Sequence, residues 1–302
     1  MSEFFDLENI FRTMCNSLPP LLLAGLGGVI SAKVGLLNLG LEGMMLVGAF
    51  TAVIVNYYAG SAMAGLLAAI LVGSLMGLVF AVFYLKLKVD NIIISVAFNM
   101  FAVAVTKYLL NVLFGVSGAF ASDRIIKMPV LSLAFLEDIP LLHVFSSLSI
   151  VFWMALLITA VMGFVINRTT WGLHIRATGL NDTAVNTAGI DPVKVKYICV
   201  TLSGSLCGMA GAYLSTGYLA MFTNNMTAGR GFLGNIASII GNRTAGGALL
   251  GSLLFSFTEG ITMKVQTFGF PSQLIQLIPY LAAFAVIIIG ALGQKRRKIS
   301  HV

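Results

Sequence analysis

Four stretches of this chain carry no Asp, Glu, Lys or Arg over lengths that cross a lipid bilayer: Ser61–Leu85, Ile139–Asn167, Tyr197–Gly229 and Val265–Gln294. A helix needs about 20 apolar residues to span the hydrocarbon core. Hydrophobic residues are 58% of the chain, charged residues 10%, and the mean hydropathy is +0.97. A soluble domain carries about 25% charge, so this chain lacks the means to cover a globule with solvated surface. It is an integral membrane protein.

Shorter runs supply the remaining segments. Asn91–Thr106 extends to about Phe114 if Lys107 snorkels its ammonium to an interface. Leu18–Ala32 and Leu36–Tyr57 form an early pair, interrupted at Lys33 and carrying Glu42. Gly231–Asn242 is too short to cross straight, and Thr244–Met263 follows it with Glu259 embedded. The expected fold is all-α, a polytopic transmembrane helical bundle of about 8–9 membrane segments, some broken or re-entrant. Its expected divisions are a short N-terminal surface segment (1–17), a transmembrane domain (18–294) with a cytoplasmic loop at 168–196, and a basic cytoplasmic tail (295–302). The first segment carries Glu3, Asp6 and Glu8, the opposite of a signal peptide's basic start.

The placement of the basic residues orients the bundle. Lys295, Arg296, Arg297 and Lys298 follow the last span, so the positive-inside rule puts that end in the cytoplasm. Counting back one crossing at a time puts Lys33, Lys86, Lys88, Arg168, Arg176, Lys194, Lys196 and Arg243 on the same side. Arg12, Arg124 and Lys127 fall outside. The alternation holds only if Gly231–Asn242 returns the chain toward the cytoplasm. A net charge of +7 distributed in this way indicates membrane lipid as a partner and no nucleic acid.

Catalytic chemistry is not evident. Cys15, Cys199 and Cys207 form no CxxC pair, and His143, His174 and His301 are scattered, so no metal site is expected. No GxxxxGK[ST] phosphate loop is present, and no nucleophile–base pair appears in the spans. Gly73-x-x-x-Gly77, Gly204-x-x-x-Gly208 and Gly247-x-x-x-Gly251 place small residues on one helix face, where backbones can approach.

Three places depart from generic membrane helix. Gly35 to Met45 packs Asn38, Glu42 and three glycines at the start of a span, a composition suited to a broken helix. Glu42 is a functional candidate because an intramembrane carboxylate is costly; alternatively Asn38 and Glu42 only cap and brace the helix start. In the loop, Asn181 reads as an N-cap with Asp182 behind it, Gly189 as the helix stop and Pro192 as the start of the next helix. A short helix between two spans is what a partner pushing on the membrane domain would grip. Asn224 to Phe232 contains two glycines and Arg230, and a half-helix starting near Gly231 would aim its free N–H groups at a cavity.

The same places carry a family resemblance. Gly35 to Phe50, Arg176–Gly179 with Asn186–Ile190, and Met226 to Phe232 resemble the permease subunits of bacterial ATP-binding-cassette importers of the ribose and branched-chain amino acid class. Within that class the chain looks most like nucleoside and simple-sugar permeases, from about Pro19 to Gly293. The resemblance implies a multi-pass subunit of the bacterial cell membrane that is not an enzyme and binds no cofactor of its own. Its implied partners are a second permease, a cytoplasmic ATPase that uses ATP and Mg, and an external solute-binding lipoprotein. Gly179, Asn181, Asp182, Thr183, Ala184, Ala188 and Gly189 match the segment that fits into the ATPase. The chain starts almost at the first family helix, which fits the shorter of two non-identical permeases and so a heterodimer.

For the pathway, Asn38, Asn99, Ser203 and Asn225 offer neutral polar groups, with Glu42 and Arg230 at the glycine-broken segments and Phe98 available to stack a base. An uncharged, hydroxyl-rich nucleoside suits that set; a simple sugar or a branched-chain amino acid is the alternative within the class. A different class, an ion-gradient-driven secondary transporter, would use Glu42 or Glu259 as its proton site.

Overall fold

Fifteen residues separate Ser2 from Leu18 without a glycine or proline, and nothing in that stretch stops a helix. In the computed structural model, which describes residues 2–132 and 147–266 with isolated positions at 277, 281, 282, 284 and 288, α1 runs unbroken over Ser2–Lys33. Residues 2–17, expected as a short N-terminal surface segment, are continuous in α1 with the first candidate span, Glu8–Lys33. Pro19 and Pro20 sit inside α1 without ending it, because enclosure by neighbouring helices offsets the lost N–H donors. Most of Val265–Gln294, the tail 295–302 and residues 133–146 lie outside the described residues.

The other helices follow as α2 (Leu41–Ala59), α3 (Ala62–Ala81, continued by a π turn at Val82–Lys86) and α4 (Asn91–Phe114). After these come α5 (Ile150–Arg168), α6 (Thr170–Leu180), α7 (Asp182–Thr187) and α8 (Pro192–Ala212, continued by a π segment at Tyr213–Leu219). The half-helix α9 (Arg230–Ile240) and then α10 (Ala245–Gln266) complete the series. Seven helices are long and apolar enough to cross a membrane among the described residues. Together with the short α9, these agree with the expected polytopic helical bundle.

Helices α1, α2 and α8 are mostly enclosed, whereas α3, α4, α5 and α10 turn most of their surface outward. The centre is glued by small residues. Gly73 and Gly77 of α3 meet Gly204 and Gly208 of α8, so a Cβ on Gly73 would lie 2.4 Å from the Gly204 carbonyl oxygen. Two of the glycine motifs legible in the sequence are thus the two halves of one contact.

Two short antiparallel pairs were not anticipated: β1 (Ala119–Ala121) with β4 (Met221–Thr223), and β2 (Val130–Ser132) with β3 (Ser147–Ser149). They follow α4 and α8 and precede α5, which places them at one end of the bundle. The opposite end carries α6 and α7. Its loop was expected to hold one short helix, and α6 is an addition, started by Thr169, whose hydroxyl accepts from the Gly172 N–H at 3.2 Å.

Candidate functional site

The chain between α1 and α2 is not helical. Gly35 adopts φ +81°, Gly35 N–H bonds the Ala32 carbonyl (3.1 Å) and Leu36 N–H bonds the Ser31 carbonyl (3.0 Å). This pair of bonds is a Schellman stop. The following residues run extended along α4. Asn91 donates to the Leu37 carbonyl, and eight residues further along α4 Asn99 donates to the Leu39 carbonyl (3.1 Å) and accepts from the Gly43 N–H (2.8 Å). Eight helical residues rise about 12 Å, so α2 begins well inside the bundle. Non-helical backbone at that depth must be satisfied by protein, and asparagines do so: Asn38 accepts from Gly40 N–H (2.9 Å) and Asn235 of α9 donates to the Asn38 carbonyl (3.2 Å).

The second break lies opposite. Strand β4 leads into a turn in which Asn225, Ala228 and Gly229 all take positive φ, and α9 then starts at Arg230. Its first N–H groups were expected to face a cavity. They instead meet Glu42, whose two carboxylate oxygens accept from Gly229 N–H (2.8 Å) and Gly231 N–H (2.7 Å). A carboxylate at a helix N-terminus complements both the free donors and the dipole. Gly231 is required here, since a Cβ would lie 2.7 Å from Glu42 Cα. Arg230 points the other way, pairing with Glu259 of α10 and donating to the Met226 carbonyl at 3.3 Å.

A cavity of about 470 Å³ opens between α2, α4 and the start of α9. Glu42, Asn99, Met100, Val103, Lys107, Asn225, Gly229 and Phe232 are among its walls. Of the pathway residues expected from sequence, Glu42, Asn99 and Asn225 come together here, and Arg230 adjoins Gly229 without lining it. Asn38 is fully buried below, and Ser203 is fully buried against Gly27 of α1, its hydroxyl without a partner among the described residues. Phe98 turns to a separate apolar groove between α3 and α4, edge-on to Phe80 at 5.5 Å. Sequence reasoning passed over Met100, Val103 and Lys107 as cavity residues. Their signal was the helical spacing from Asn99, which puts all four on one stripe. The volume is within the range of small-molecule sites.

The loop forms its own local structure. Asn181 Oδ1 accepts from Thr183 N–H (3.0 Å) and Ala184 N–H (3.1 Å), capping α7 as its sequence predicted. Gly189 takes φ +82° after Ala188, and Asp191 caps α8 with Pro192 in its first turn. Val185 is buried, while Asp182, Thr183, Ala184 and Ala188 are exposed, and Asp182 pairs with Lys196. Gly179, one turn before α7, lies against the end of α1: a Cβ there would sit 2.0 Å from the Lys33 carbonyl oxygen. No group of three or more His, Cys, Asp or Glu is arranged to hold a metal among the described residues.

Against known proteins, residues 10–293 match a family described as branched-chain amino acid transport system / permease component. The chain is 32% identical to the guanosine ABC transporter permease protein NupQ of Bacillus subtilis, over 81% of this chain and 78% of that protein. It is 31% identical to the nucleoside ABC transporter permease protein NupC of Lactococcus lactis, over 96% and 94% respectively. Among solved structures, a metal-chelate type ABC transporter in an inward-facing conformation shares the fold, with a TM-score of 0.50 at 13% identity over 94% of this chain and 86% of that one.

Proposed function

The chain belongs to the permease-component family of branched-chain amino acid transport systems, and from that footing we propose that it forms half of the membrane pore of an ATP-driven importer of nucleosides. The carrying observation is the cavity at the two broken helices. Its walls are mostly apolar with a few polar side chains; Glu42 is answered by two amides and the adjoining Arg230 by Glu259, which leaves Lys107 as the lining charge without a partner among the described residues. Such a wall suits a neutral, polar solute better than an ion. The relatives named for guanosine and nucleosides favour the nucleoside over the sugar.

Transport needs partners this chain does not supply. The exposed α7, with Gly179, Asn181, Asp182, Thr183, Ala184, Ala188 and Gly189 in and around it, is the surface we assign to a cytoplasmic ATPase that binds ATP and Mg; no cofactor is assigned to the permease. A second, non-identical permease completes the pore, and an external lipoprotein delivers the solute. In this reading the chain sits in a bacterial cell membrane with α6, α7 and its basic C-terminus in the cytoplasm. Alternating access follows from differential binding of ATP and solute to the two pore states.

The competing ion-gradient mechanism needs a carboxylate free to take and release a proton. Glu42 and Glu259 are both committed to structural partners, which weighs against it. Uptake in proteoliposomes holding the full complex is the test, with radiolabelled guanosine, adenosine, ribose and leucine. ATP-dependent guanosine uptake is expected. Uptake of leucine alone, or solute movement by the chain without ATP, would overturn the reading.

A further inference from the structure

Lys107 reads in the sequence as a residue that snorkels to an interface, yet in the folded chain it lines the same cavity as Glu42, Asn99 and Asn225. On α4, Asn99, Met100, Val103, Ala104 and Lys107 fall on one stripe, with Lys107 about 12 Å along the axis from Asn99. Hydrogen-bonding capacity along this wall is unevenly spent. Each oxygen of Glu42 accepts a backbone N–H, and the amide of Asn99 is used at both ends. The Gly229 N–H is taken by Glu42. Two lining side chains, Lys107 and Asn225, have no partner among the described residues and are exposed to the cavity.

Charge follows the same division. Glu42 faces the amides at the positive end of α9 and Arg230 faces Glu259, which leaves the Lys107 ammonium as the unanswered charge on the wall among the described residues. An ammonium carries three donors and no acceptor. Facing a cavity within a span, it marks a solute contact more readily than a packing residue. Met100, Val103 and Phe232 supply the apolar surface beside it.

Resting on the nucleoside reading above, we infer that Lys107 is a specificity-determining residue of the cavity, donating to bases that present a carbonyl oxygen beside a ring nitrogen. An amino group at that edge would bring a donor against a donor. The site therefore takes guanosine in preference to adenosine, with the Asn225 side chain free for the sugar hydroxyls and Met100 and Phe232 flanking the ring.

The test is uptake by the full reconstituted complex carrying Lys107→Met or Lys107→Arg, with radiolabelled guanosine and adenosine measured side by side. Losing one charge-assisted bond corresponds to a rise of about tenfold in the guanosine KM, with adenosine changed by less than about twofold, while Lys107→Arg keeps most of the preference. An unchanged guanosine-to-adenosine ratio in wild-type and Lys107→Met complexes, or equal loss of both solutes, would overturn the inference and leave nucleoside transport standing. So would failure of Lys107→Met to co-purify with the second permease, which would make Lys107 an assembly residue. Stronger competition by guanosine monophosphate than by guanosine would mean that the ammonium reads a phosphate, again overturning it. A wild-type complex that moves no nucleoside would end both readings together.

Discussion

The break between α1 and α2 and the loop from α5 to α8 solve the same problem, ending one helix and starting another, with opposite materials. At the loop every cap is local: Thr169 to Gly172, Asn181 to Thr183 and Ala184, Asp191 to Val193 and Lys194. At the break the partners are remote: Asn99 serves Gly43 and Leu39, and Glu42 serves Gly229 and Gly231. Water explains the difference. An exposed helix end can be finished by solvent, so a neighbouring side chain is enough. Inside the bundle each unsatisfied group costs several kcal/mol, and the donors and acceptors must be brought in from other helices. Caps at the loop therefore hold local structure, while those at the break hold helices to one another.

That contrast is open to attack by substitution. Glu42→Ala leaves two backbone donors at the start of α9 without their acceptor and should cost about 2–5 kcal/mol, read as a large fall in the apparent unfolding midpoint in detergent. Glu42→Gln, keeping one acceptor, should lie between it and wild type. Asn99→Ala frees the Leu39 carbonyl and the Gly43 N–H and should cost about 2 kcal/mol by the same measurement. Asn181→Ala should remove only about 1 kcal/mol and fray α7 alone, so the midpoint barely moves while ATPase binding weakens in a pull-down. If Asn181→Ala lowers the midpoint as far as Glu42→Ala does, the division between remote and local partners is wrong.

The same division explains what could be read before any coordinates. Asn181, Gly189 and Pro192 announce α7 and its boundaries because each acts within four residues of itself. The Gly73 and Gly204 motifs were visible as helix faces, though which face met which was not. Glu42 stood out as a costly intramembrane carboxylate, expected either on the solute pathway or as a brace of its own helix start. The helix it braces is α9, about 190 positions along the chain. For Lys107 the sequence offers no choice, because a lone lysine near the end of a span looks the same whether it faces lipid, headgroup or cavity. Phe98 looked able to stack a base, but the packing of α3 on α4 sets it against Phe80 and Phe83.

Membrane residence, the approximate number of passes and the position of α7 all follow from the order of residues along the chain. Each is a property of a window: about twenty apolar residues, or an asparagine two places before a free N–H. The cavity is not. It exists because α4 lies beside the extended segment after Gly35 and because α9 ends its approach on Glu42, and pairings between residues so far apart leave no local trace. Only the folded bundle shows which polar groups have already used their hydrogen bonds, and which lining side chains, Lys107 and Asn225, have no partner among the described residues.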